Sequence, residues 1–186
     1  MLIRFSAGFR FGAGLGAVIA VIVLFNDAAF AQGAAKLTDP QIAHVAYTAG
    51  EIDIAAAKQA LSKSKNKDVV AFAHDMVRDH QAVNKQALDL VKKLKVTPQD
   101  NDTSRALSKQ AAEKHAELAK LKGAAFDKAY IANEVAYHKA VNGALETTLI
   151  PQSSNADLKN LLQTGLKIFQ GHQQHAENVA ENITAK

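Results

Sequence analysis

Cysteine is absent from this 186-residue chain, and so is tryptophan. The first absence excludes disulfides, thiolate metal ligands and a cysteine nucleophile. Aromatics make up only 6% of the residues and there are three prolines. A chain so poor in aromatics and so rich in alanine favours helices over sheets, because alanine is the best helix former and strands prefer aromatic and β-branched residues. The formal charge of +4 is modest, and no block of Lys and Arg is interleaved with aromatics, so no nucleic-acid partner is expected. A glycine-rich phosphate loop and a G-x-S-x-G elbow are also missing. Ser, His and Asp are plentiful but not arranged as a nucleophilic triad, and no residue is assigned a catalytic role.

What is present begins with an export signal. Arg4 and Arg10 precede an apolar run, Phe11–Phe25, which is shorter than the roughly 20 residues a membrane span needs. Ala29, Phe30 and Ala31 then give a small-x-small cleavage pattern. The expectation is a signal peptide over residues 1–31 cleaved after Ala31, a flexible leader over 32–37, and one domain over 38–186 with no transmembrane span. The mature protein is expected in the periplasm or at the outer membrane.

Within that domain, Thr38 or Asp39 can cap a first helix with Pro40 in its first turn. Alanine-rich periodicity runs on to about Leu61. Asn66 and Asp68 open a second helix through Lys95, which the segment around Pro98 breaks. A shorter amphipathic segment, Thr103–Lys122, ends at Gly123. A further helix spans about Ala125–Leu149 and is ended by Pro151, and Ser153–Asp157 opens the last. Strand alternation and hairpin turns are lacking. Four long helices with a short one in a connection outline an all-α, up-down-up-down bundle.

Side-chain directions along these helices single out a few residues. In the second helix Val69, Ala73, Met76, Val77, Val83, Ala87, Val91 and Leu94 form an apolar stripe with His80 at its centre. His74, Asp75 and Arg78 face away, and Asp79 lies at the edge. Glu134 and His138 fall inside the stripe of Tyr130, Ile131, Val141 and Leu145. His172 sits in the middle of the last helix's stripe and His175 at its margin. Asp53 lies on the apolar face of the first helix. His44, His74 and His115 read as surface residues.

Each long helix therefore offers an inward ionisable group. An unpartnered buried polar group costs about 1–3 kcal/mol, so a set of them must satisfy one another or share a cation. Imidazole and carboxylate without thiolate suit Fe, Mn, Zn or Cu(II). A di-iron carboxylate centre requires Glu-x-x-His on two helices, yet Val77, Val135 and Phe169 stand three residues before the histidines. Counting outward from Pro151 puts Glu134 nearer in level to His172 than His138 is.

Three stretches resemble a known family. "VVAFAHDMVRDHQAVNKQAL" (Val69–Leu88) is similar to the "FA..M..DH...N..L" hallmark of the exported bacterial domain-of-unknown-function family 4142. "AAFDKAYIANEVAYHKAV" (Ala124–Val141) and "IFQGHQQHAENV" (Ile168–Val179) resemble its later His-bearing helices. The resemblance extends from about Thr38 to Val179. It implies a ferritin-like bundle in an outer-membrane or periplasmic protein, and brings no activity with it. The family's core positions fall on Asp79, His80, His138 and His172. Its acidic first-helix position falls on Asp53, where the resemblance implies the longer Glu in many relatives.

Two functional readings stand side by side. In one, His80, His138 and His172 ligate a transition metal, Asp53 or Glu134 supplies charge, and Asp79 and His175 orient the ligands. In the other, the protein is a non-enzymatic envelope protein, structural or binding a protein partner, and its inward polar groups only fix helix packing. The oligomeric state is open in both.

Overall fold

Five α-helices account for nearly all of residues 36–184, the part of the chain that the computed structural model describes. They are α1 (Asp39–Lys63), α2 (Lys67–Leu94), α3 (Asp102–Ala119), α4 (Gly123–Ala144) and α5 (Ala156–Thr184). No strand occurs among the described residues, and no helix there is long and apolar enough to cross a membrane. The expected signal peptide, and the leader up to residue 35, lie outside the described residues.

Local chemistry sets most of the boundaries. Thr38 precedes α1 and takes its N–H to Gln41 Oε1 at 3.0 Å. Asn66 caps α2 by accepting from the N–H groups of Asp68 and Val69 at 2.9 and 3.4 Å. Lys95 then closes α2 in the left-handed region, at φ 54°. Two boundaries differ from the sequence reading. Gly123, expected as a helix stop, is the first residue of α4, with φ +55°, and the break falls at residues 120–122. Nor does Pro151 end α4. The helix widens into a π segment, Leu145–Leu149, and continues through a last turn, Ile150–Gln152. Pro151 has no N–H for the carbonyl four residues back, and it is tolerated where the first turn of a new segment begins.

The long helices pack around two apolar clusters. One gathers Ile42, Val45, Leu145, Leu149, Leu158, Leu162 and Phe169, and the other Phe72, Met76, Phe126, Tyr130, Ile131, Val179 and Ile183. Between them in sequence, on every long helix, lie the inward polar residues, which form a polar layer in mid-core. Helix α3 lies outside this core and bridges it, with Leu107 in the first cluster and Leu118 in the second.

Polar ties set the level of the helices. Asp39 at the start of α1 accepts the N–H groups of Ser154 and Asn155 at 2.8 and 2.9 Å. Leu37 donates its N–H to Gln152 Oε1 at 2.8 Å and packs on the core. Tyr137 donates to the carbonyl of Ala49 at 2.8 Å, joining α4 to α1. At Gly50 the backbone of α1 comes so close to α2 that an added Cβ would stand 2.3 Å from Asn84 Oδ1. That approach, one turn from both Asp53 and His80, brings the two together.

Candidate metal centre

Four helices meet in the polar layer: α1 contributes Asp53, α2 His80, α4 Glu134 and His138, and α5 His172. None of the five residues is more than 6% exposed, so burial strips them of most of their hydration. His80 is fixed by stacking on Phe169, with ring centroids 4.5 Å apart and planes 6° from parallel. The three imidazoles lie edge to edge or tilted, with centroids 5.2–5.7 Å apart.

Hydrogen bonds assign the tautomers of two of them. His138 Nδ1 lies 3.0 Å from the backbone carbonyl of Glu134. A carbonyl only accepts, so Nδ1 carries the proton and Nε2 keeps its lone pair. That Nε2 points inward, 3.3 Å from Asp53 Oδ2. His172 Nε2 donates to Asp79 Oδ2 at 3.0 Å, which leaves the Nδ1 lone pair buried and inward. Asp79 is itself gripped by Arg78 at 2.7 Å. The carboxylate–imidazole pairing of Asp79 and His172 is the one that orients metal-bound histidines in many sites.

Burial also sets the charges. Desolvation pushes the Asp53 carboxyl up from 3.8 to about 8. Glu134 is raised well above its ordinary value by desolvation and then by repulsion from Asp53, with only the Asn133 side chain opposing. Desolvation lowers His138 to about 3, helped by repulsion from His172, and holds His80 well below 6.5. His172 is lowered by desolvation against the opposing hydrogen bond from Asp79. Asp79 is kept ionised chiefly by Arg78. At neutral pH the contacts of 3.2 Å from His80 Nε2 and 3.3 Å from His138 Nε2 to Asp53 Oδ2 therefore join neutral imidazoles to a protonated acid. They are close enough for an ion pair but misaligned for a hydrogen bond.

The layer is thus short of partners. Asp53 Oδ1 and Oδ2, His80 Nδ1 and Nε2, Glu134 Oε2, His138 Nε2 and His172 Nδ1 are all buried with no hydrogen-bond partner among the described residues. Even at about 1 kcal/mol each, this consumes a large part of a typical folding stability of 5–15 kcal/mol. The donor atoms fall into two groups, His80–His138–His172 and Asp53–Glu134–His138, each with its atoms within 4.8 Å of one another. A first-row ion binding at about 2.1 Å holds tetrahedral ligand atoms about 3.4 Å apart, so side-chain shifts of about 1 Å are enough. The buried His and carboxylate groups are close enough to hold a metal ion.

Other residues fall differently from the sequence reading. The His138 ring lies against that of His172, with centroids 5.4 Å apart. The helix runs on past Pro151 to Gln152, and counted from a turn near residue 154 His138 and Glu134 stand equally far in level from His172. His175, read as an orienting residue, is 40% exposed and lies 3.8 Å from Asp75 and edge-on to Phe72. It touches the layer only by repelling charge on His172. His74 and His115 are exposed, but His44 is half-buried with Nδ1 unpartnered, in a cavity between α1, α3 and α4. Only the alanines on facing stretches of α1 and α3 could have signalled that cavity in the sequence.

No curated protein and no solved structure matches the chain. A family described as a domain of unknown function, DUF4142, matches residues 25–179, a span that holds α1 to α4, most of α5 and all five residues of the polar layer. The chain belongs to the DUF4142 family.

Proposed function

We propose that this chain is an exported, ferritin-like four-helix bundle that binds one divalent transition-metal ion in its core. His80, His138 and His172 are the ligands, with Asp53 or Glu134 supplying negative charge. The observation that carries this reading is the convergence, from four helices, of seven buried donor atoms without hydrogen-bond partners. The Glu134 carbonyl and Asp79 support it further, since they turn the lone pairs of His138 and His172 inward. A cation entering the layer would displace the protons of the carboxyls and satisfy lone pairs that the protein leaves bare. The donor set, nitrogen and oxygen without sulfur, suits Fe(II), Mn(II), Zn(II) or Cu(II).

An up-down-up-down arrangement is supported by the short links at residues 64–66 and 153–155 and by the place of α3 in the longer connection. Export rests on Arg4, Arg10, the apolar run and Ala29–Ala31. Envelope-fraction protein is expected to begin at Gln32; retention of residues 1–31 would overturn that part.

Metal analysis tests the central claim. Protein purified without an affinity tag is reconstituted in turn with Fe, Mn, Zn and Cu. One ion per chain and a raised melting temperature are expected for at least one metal. His80→Ala should lose the ion and keep its helical circular dichroism. Sub-stoichiometric metal in all four cases, with unchanged melting, would leave the layer as a packing device and favour an envelope protein that acts through its surface.

A further inference from the structure

The polar layer has two neighbouring cavities of opposite character. One, of about 40 Å³, is lined by Ala46, Val83, Leu145, Leu162 and other apolar side chains with Asn84 as the polar exception, and holds at most a single water. The other lies beneath α3 and has a volume of about 540 Å³. Its wall includes Asp53 and Glu134 but none of His80, His138 and His172. The carboxylate half of the layer thus borders open space, and the imidazole half is sealed behind it.

Helix α3 makes this space by its composition. Leu107 and Leu118 anchor it in the two apolar clusters, and between them Ser108, Ala111 and Ala112 present small side chains to the cavity. Ala55 and Ala56 do the same from α1. Oxygen acceptors lead inward. Gln59 donates its Nε2 to the His115 carbonyl at 3.0 Å and leaves Oε1 buried and unpartnered. Asn133 donates to Glu134 Oε1 at 3.3 Å and likewise leaves Oδ1 bare. Both side chains are more than nine-tenths buried, as are Asp53 and Glu134. The other titratable groups on the wall are His44, Tyr47, Glu51, Lys114, His115 and Tyr137. The charge of Lys114 is engaged by Glu117 at 2.6 Å. On the far side of the layer the way to His172 passes Asp79, where the Arg78 guanidinium sits and repels cations.

Resting on the metal reading above, we infer that the cavity under α3 is the antechamber through which a hydrated divalent cation reaches the core. Six waters at about 30 Å³ each occupy roughly 180 Å³, so the cavity admits the ion with its hydration shell intact. The ion exchanges water for Gln59 Oε1 and Asn133 Oδ1, meets Asp53 and Glu134, and only then reaches the imidazoles.

The absence of cysteine allows a test that does not disturb folding. A single thiol is introduced as Ala111→Cys and, in a control, as Ala87→Cys on the apolar side. Each folded protein is treated with benzyl methanethiosulfonate, and uptake of cobalt(II) is followed by its visible absorption. The blocked Ala111→Cys protein is expected to load at least tenfold more slowly, to the same final stoichiometry. Reductive removal of the benzyl group should restore the rate, and the blocked control should load normally. Unchanged loading of the blocked protein overturns the inference and leaves the metal reading intact. So does a thiol at residue 111 that fails to react, because the cavity is then closed to solutes. If the unmodified chain takes up no cobalt, the metal reading itself falls, and this inference with it.

Discussion

Replacing Asp53 with Asn should stabilise the metal-free protein and weaken its response to metal. Asn is nearly isosteric with Asp, and residue 53 is 1% exposed, so the change removes a titration rather than a contact. The folded-state value of Asp53, about 8, lies far above the ordinary 3.8. Its contribution to stability is therefore complete below about 3.8 and is lost as pH rises toward about 8. At pH 7 most of that loss has occurred, about three units at about 1.4 kcal/mol each, or on the order of 4 kcal/mol. The Asn amide gives back part of this, since its unpartnered groups cost about 1–3 kcal/mol. A net gain of about 1–3 kcal/mol is expected at pH 7, or roughly 2–10 °C in melting temperature for a domain of this size.

The comparison across pH is cleaner, because the hydrogen-bonding deficit of Asn is the same at every pH. Between pH 7 and pH 5 the advantage of Asp53→Asn over wild type should shrink by about two units' worth, close to 3 kcal/mol. Urea unfolding of both proteins with a chelator present, at the two pH values, measures it. Repeating the pH 7 experiment with Zn or Mn should stabilise wild type more than the variant, with the larger difference for Mn. An advantage that does not change with pH would refute the claim that the layer holds a protonated acid. An equal metal response in both proteins would remove Asp53 from the site.

Three further outcomes can be checked. Asp79→Asn, which no longer holds the Nε2 proton of His172 with a charge, should weaken metal affinity about 10–100-fold by titration calorimetry while leaving the stoichiometry unchanged. Metal affinity in wild type should rise between pH 6 and pH 8 with proton release, because Asp53, raised to about 8, must ionise to bind; affinity flat across that range would exclude it as a ligand. Gly50→Ala should destabilise by about 1–2 kcal/mol, since the new Cβ turns Asn84 away from its 2.8 Å bond to Glu51 and this outweighs a helix-propensity gain of up to about 1 kcal/mol. Combining it with Asn84→Ala should relieve that cost, and strict additivity of the two changes would show that the residues do not meet.

Much of the site was legible from helical phase. His80, His138 and His172 each sit on an apolar stripe, and an inward imidazole on a stripe must go to the core whatever the partner helix is. Asp53 was placed on the same logic despite an alanine-rich helix with weak contrast between its faces. Level was not legible, because it depends on where a hairpin turns. The helix runs through Pro151 and shifts that turn, which removes the advantage that counting from Pro151 gives Glu134 over His138. The boundary at Gly123 differs for another local reason, since a glycine with positive φ can open a helix as well as follow one. The cavity is not legible in the sequence because a space beneath Ala111 and Ala112 is a property of two helices together. His44, read as a surface residue from α1 alone, is half-covered once α3 is laid over it.

The two donor groups of the layer share one residue, His138, and with its Nδ1 on the Glu134 carbonyl only Nε2 is left to offer a lone pair. Under the metal reading proposed above, a single lone pair cannot serve two ions, so occupancy of one group would exclude the other and the layer would hold one ion. The groups differ in taste: three imidazoles favour zinc or copper, and two carboxylates with one imidazole favour manganese or iron. In a mixture of metals the chain would act as a comparator. Its bound state would report the ratio of the two classes rather than the amount of either, with the ring of His138 as the pointer.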